Sequence, residues 1–136
     1  MSKQYINKNV YINDSDIQLK DLNGDILYKN SSGALSGTLS DNISKYKHLK
    51  IIAKGEGGLM SNEIDLSIDS KVYFISAYAS SGTLAFKHVG FIFSGTSFSQ
   101  SSKGTKYIQG TSGLTSSYDT SDTTNVKIVE VIGYKY

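Results

Sequence analysis

The stretch 62–79, NEIDLSIDSKVYFISAYA, decides the fold. In its first half Ile64, Leu66 and Ile68 alternate with Glu63, Asp65 and Ser67. That period of two belongs to a half-buried strand, with the three apolar residues inward. Asp69-Ser70 supplies a turn. The run 71–79 that follows is apolar on both faces, which predicts a strand placed centrally in a sheet or against a partner.

Upstream, 48–54 sets Leu49, Ile51 and Ala53 on one face, and Gly55, Gly57 and Gly58 make the turn that follows. Residues 41–47 form a connecting bend pinned by Ile43 and Tyr46. Leu35, Gly37 and Leu39 alternate with serine and threonine as a short strand, after a break at Ser31-Ser32-Gly33. Asn23-Gly24, between Ile17, Leu19 and Leu22 on one side and Ile26 and Tyr28 on the other, predicts a tight hairpin. Both central positions of a type I′ turn need positive φ, which Asn and Gly tolerate.

Downstream, Ser80-Ser81-Gly82 fits a three-residue hairpin loop, and 83–93 is a long strand with a bulge at Gly90. Short strands are predicted at 96–102 and 105–109, with long Ser/Thr/Gly loops after them. The segment 125–135 closes the chain as a strand carrying Val126, Ile128, Val129, Val131 and Ile132. No window sustains the i, i+3, i+4 pattern of a helix. The expectation is an all-β fold, an antiparallel β-sandwich, jelly-roll-like, of about eight to ten strands.

Composition bounds the rest. A chain of 136 residues holds one core, so 17–136 is expected as a single domain and 1–16 as an N-terminal arm or edge strand. There is no cysteine, which excludes disulfides, thiol nucleophiles and Cys-based metal centres. Every basic residue is Lys, so no bidentate guanidinium clamp exists. With a net charge of only +2, no nucleic-acid partner is expected. No apolar run is long enough to span a bilayer as a helix, so no membrane insertion is expected. The opening MSKQYINKNV lacks the apolar centre of a signal peptide, so the protein is expected to be synthesised without a recognisable secretion signal.

Catalytic signals are sparse. His48 and His88 each sit at or in a predicted strand and could be paired in space. No further ligand or acid–base partner is implied by spacing, so both read as structural or solvent-facing. There is no G-x-S-x-G, H-E-x-x-H or phosphate loop. Asp14, Asp16, Asp21 and Asp25 cluster around Asn23-Gly24, but twelve-residue EF-hand spacing fails, and a polar hairpin tip is the simpler reading. The expectation is therefore a non-enzyme with no cofactor and no metal site. A small carbohydrate-active enzyme is the weakest alternative, because carboxylate pairs can be assembled from many Asp and Glu without any spacing to favour one.

The aromatic supply is more informative. Ten tyrosines stand beside five phenylalanines, and Ser, Thr, Gly and Asn make up 38% of the chain. Flat aromatic faces with short polar side chains are what a saccharide site requires. Strand propensity alone also supplies tyrosines, so only those expected in loops are singled out. These are Tyr107, Tyr118, Asp119 and Asp122, taken as candidate ligand-binding residues.

From Ile26 onward the chain resembles the C-terminal receptor-binding or accessory domains of tail, baseplate and minor structural proteins of phages infecting Gram-positive bacteria. The residues that carry this are Ser31-Ser32-Gly33, Gly37-Thr38-Leu39-Ser40-Asp41, Tyr46 ahead of Leu49-Lys50-Ile51, the Gly57-Gly58 turn and Asn62-Glu63-Ile64. The closing Ile128-Val129-Glu130-Val131-Ile132-Gly133-Tyr134-Lys135 is the most specific piece. The resemblance is one of strands and turns and carries no catalytic residues across. It implies a virion component, a homo-oligomer and most often a trimer, that contacts other virion proteins and presents β-sandwich tips to host cell-wall saccharides. Such domains commonly cap a much longer fibre, whereas this chain begins with its own Met and has only about 25 residues ahead of the resembling segment, so a small separate virion protein is also expected. That gives weight to the alternative of a purely structural head or tail decoration protein without receptor binding.

Overall fold

The computed structural model describes residues 23–80, 83–109, 115–119 and 126–136. The proposed arm at 1–16 lies outside them. Nine strands are described: β1 (Asp25–Ala34), β2 (Ser36–Thr38), β3 (His48–Gly55), β4 (Gly58–Asp65), β5 (Lys71–Ser80), β6 (Thr83–Ser94), β7 (Ser97–Gln109), β8 (Thr115–Asp119) and β9 (Lys127–Tyr134). A one-turn 3-10 helix, Ile43–Lys45, is set in the bend before β3.

The strands form two antiparallel sheets. The first runs β1-β9-β3-β4. The second runs β2-β7-β6-β5, with β8 also paired to β7. The chain crosses between sheets from β1 to β2 and from β2 to β3, the wrapping expected of a jelly roll. It then departs from that alternation, since β3 and β4 are a hairpin and β5, β6 and β7 a meander. The all-β sandwich is thus as the alternation predicted.

The two inner faces make one core. Leu27, Leu49, Ile51, Ala53, Ile64, Ile128 and Val131 of the first sheet face Val72, Phe74, Val89, Phe91, Phe93 and Phe98 of the second. Phe98 is the hub: its ring meets Tyr28 at 4.9 Å, Phe93 at 5.6 Å and Phe91 at 6.5 Å between centroids. Burying each such ring contributes about 1.5–3 kcal/mol. Gly37 permits this packing, because a Cβ there would lie 2.6 Å from Phe98 Cε1.

Bulges keep apolar residues pointing inward. Ile52 pairs with Glu130 but Ala53 pairs with Ile128, so Val129 is an extra residue on β9. Ile128 and Val131 are therefore both buried despite their odd spacing. The bulge predicted at Gly90 is present, between Gly90 and Phe91 against β7.

Several expectations are corrected. Ser31-Ser32-Gly33 does not end a strand. β1 continues through an irregularity between Lys29 and Ala34, held by Lys54 Nζ donating to the Ser31 carbonyl at 2.9 Å. Gly24 has the positive φ that a turn needs, 72°, and leads into β1. The rest of the predicted Asn23-Gly24 hairpin lies outside the described residues. Ile68 does not point inward and is 83% exposed, because β4 stops at Asp65 and the chain turns. The stretches 96–102 and 105–109 are one continuous strand, β7. β5 is not central but an edge strand, and its second apolar face is open. Ser80 pairs with Thr83, leaving two residues between β5 and β6 rather than the predicted three-residue loop.

Candidate functional site

At one end of the sandwich, four connections converge around a pocket of about 690 Å³. They are the 3-10 turn after β2, the β4–β5 turn, the β6–β7 turn at Gly95, and the segment that follows β9. The lining mixes aromatic rings (Tyr46, His48, Tyr136) with short polar groups (Asn42, Ser44, Asp65, Ser67, Ser70).

Local hydrogen bonding fixes the walls. Asn42 caps the 3-10 turn, its Oδ1 accepting from Ser44 N at 3.0 Å. Ile43 N donates to the Gly95 carbonyl at 2.9 Å, joining this turn to the β6–β7 turn. Lys47 N donates to the Tyr134 carbonyl, and Leu66 N donates to the Lys47 carbonyl. Lys45 pairs with Asp41 at 2.8 Å across one turn. That contact, with the Asn42 backbone N–H, holds the Asp41 carboxyl below the usual aspartate range.

The strand register builds the floor. His48 of β3 is paired with Tyr134 of β9 on one side and Asp65 of β4 on the other. The three residues thus form a cross-strand row. The imidazole stacks on the Tyr134 ring, with centroids 4.6 Å apart and planes 9° from parallel. Tyr136 folds back edge-on to both rings, at 5.3 Å from His48 and 5.5 Å from Tyr134. His48 Nδ1 lies 2.8 Å from the Tyr136 backbone oxygen. That oxygen only accepts, so Nδ1 carries the hydrogen in this contact.

Asp65 completes the row as a fixed anion. Its Oδ1 accepts from Ser67 Oγ at 2.6 Å and from Ser67 N at 2.9 Å. Those hydrogen bonds, with a smaller contribution from His48, hold the carboxyl below the usual aspartate range. The arrangement offers flat rings, hydroxyls, an amide and one carboxylate. Among the described residues, no three His, Asp or Glu side chains converge as metal ligands would.

The residues singled out from sequence lie elsewhere. Tyr107 is on β7, and Tyr118 and Asp119 are on β8, so these three occupy paired strands rather than loops. The register sets Tyr107 opposite Ser117 and Lys106 opposite Tyr118. Asp122 lies outside the described residues. Tyr107 stands ten positions beyond the start of β7, roughly 30 Å along the strand from the pocket end at about 3.3 Å per residue. The two histidines are not brought together, since His48 is on the first sheet and His88 on the second, opposite Ile75. Of the acidic cluster, Asp25 accepts a 2.9 Å hydrogen bond from the Tyr46 hydroxyl.

Sequence reasoning missed His48, Asp65 and Tyr136 as a group. The only available signal was phase: His48 falls out of step with Leu49, Ile51 and Ala53 and so belongs on the outer face.

No protein-family model matches the chain, and comparison with curated protein sequences finds no match.

Proposed function

We propose that this protein is a phage virion component of the tail-tip or baseplate kind that contributes to host adhesion by holding a cell-surface saccharide. The virion assignment rests on the likeness of strands and turns to such domains. The observation that carries the saccharide reading is the end-on pocket, where His48 and Tyr136 stand beside Asn42, Ser44, Asp65, Ser67 and Ser70. Sugars present apolar C–H faces and a fringe of hydroxyls. Aromatic rings receive the first, and short polar side chains with a fixed carboxylate receive the second. Asp65, held ionised, accepts from sugar hydroxyls.

The test is binding of the purified protein to a glycan array and to isolated cell walls of the host. Retention on wall polysaccharide, competed by millimolar sugar, is the expected result. Absence of binding at millimolar sugar would overturn the adhesion reading.

The second reading, a purely structural head or tail decoration protein, is favoured by the open apolar face of β5, where Tyr73 and Ile75 are exposed. A chain of that kind co-purifies with virion proteins and leaves host walls untouched.

A further inference from the structure

β5 is the edge of the second sheet, and among the described residues no strand pairs with it on its outer side, which β4 reaches through Asn62. Apart from the Asn62 contact and a lysine at its start, it lacks the devices that blunt such an edge. It is ten residues long, contains no proline, and pairs with β6 without a register shift from Lys71↔Ile92 to Ser80↔Thr83. Its one charged residue is Lys71, at its start.

Two contacts fix which backbone groups face outward. The Ser70 carbonyl accepts from Phe93 N, toward β6. The Tyr73 carbonyl accepts instead from Asn62 Nδ2 of β4, at 3.2 Å, away from β6. Alternation then directs the N–H and C=O of Tyr73, Ile75, Ala77 and Ala79 to the open edge. The side chains of Tyr73 and Ile75 also stand on the outer face, 54% and 67% exposed.

We propose that β5 pairs antiparallel with β5 of a second copy of this chain, about a two-fold axis at Ile75. The second copy is the fitting occupant because the strand complements itself. In this register Tyr73 meets Ala77 of the other copy, large against small, and Lys71 meets Ala79. The two lysines lie at opposite ends, so no like charges oppose each other. Each outward-facing pair exchanges two backbone hydrogen bonds, and the interface is isologous and closes at two. Asn62 must release the Tyr73 carbonyl for the Tyr73–Ala77 hydrogen bonds on either side of the axis to form.

Sedimentation equilibrium of the full chain, with single-site variants, tests this. The wild type sediments as a dimer at tens of micromolar. Ile75→Lys sets two ammonium groups together at the axis and raises the dimer dissociation constant at least tenfold, with an unchanged circular dichroism spectrum. Ile68→Lys, at an exposed residue off the edge, leaves the mass unchanged. Because the chain has no cysteine, Ile75→Cys adds a single thiol that faces its counterpart. Mild oxidation then gives a disulfide-linked dimer on a non-reducing gel, and Ile68→Cys does not. A wild type monomeric at this concentration, a trimer, or a dimer unaffected by Ile75→Lys and uncrosslinked by Ile75→Cys would overturn the proposal.

Discussion

The ring of Tyr46 lies directly against Gly133: a Cβ on residue 133 would fall 2.6 Å from Tyr46 Cδ1 and 2.9 Å from Leu27 Cδ1. Absence of a side chain on β9 is what lets the bend before β3 dock on the first sheet and form one wall of the pocket. Gly133→Ala is expected to destabilise the fold by about 1–3 kcal/mol through overpacking. Urea unfolding followed by circular dichroism measures it, and an unchanged midpoint would show that Tyr46 moves aside freely.

The Tyr46 hydroxyl donates to Asp25, and burial first, then this hydrogen bond and the Asp25 charge, push its ionisation well above the usual tyrosine range. A raised folded value means the contribution is complete below the ordinary phenol pKa of about 10 and is lost as pH rises beyond it. Thermal midpoints are therefore expected to fall above about pH 10, with a shallower fall for Tyr46→Phe. That variant also loses about 1 kcal/mol at neutral pH with the hydrogen bond. Equal alkaline slopes for the two proteins would contradict the assignment.

Asp65 and Asp41 carry the opposite sign. Both carboxyls ionise more readily in the folded chain, through Ser67 and Lys45 respectively. Their contribution is complete above the ordinary aspartate value of about 3.9 and is lost as pH falls past it through the folded values. Differential scanning calorimetry between neutral and acid pH is expected to show an acid-side decline that Asp65→Asn makes shallower. An identical acid profile for that variant would show that the Ser67 contacts do not persist in solution.

Lys87 points from β6 into the sandwich, and its ammonium pairs with Glu56 of the β3–β4 turn at 3.0 Å. The lysine side chain is 7% exposed and the glutamate 31%, so solvent screens only one partner. Glu56→Ala is expected to cost about 1–3 kcal/mol, below the full cost of breaking a buried pair. Guanidinium unfolding checks it, and a loss under a few tenths would place the pair among the inert surface contacts.

How much of this was legible depends on whether a residue's partners are near in sequence. Leu49, Ile51 and Ala53 alternate cleanly, and their buried face follows from period two alone. Ile68 continues the alternation of Ile64 and Leu66 on paper. The Asp65 backbone, however, accepts from Ile68 N and Asp69 N, so a turn ends the strand first. β5 is apolar on both sides, which sequence equates with two covered faces, yet composition does not encode which strand becomes an edge. β7 carries serine, threonine and glycine that show no period, so its thirteen continuous residues read as two pieces.

The pocket was least legible of all. His48 and Tyr136 are 88 positions apart, and only the β3–β9 register brings them into contact. Tyr107, Tyr118 and Asp119 drew notice because they sit in polar, low-complexity sequence, a signal that strand pairing there does not respect.

The central claim, that the end-on pocket is a saccharide site, is tested most directly by calorimetric titration of host-wall polysaccharide into wild type, His48→Ala and Tyr136→Ala. The prediction is saturable binding by wild type and at least a tenfold loss in each variant, about 1.4 kcal/mol, with little change in thermal midpoint. Full affinity retained by both variants, or no heat of binding from the wild type, would contradict it.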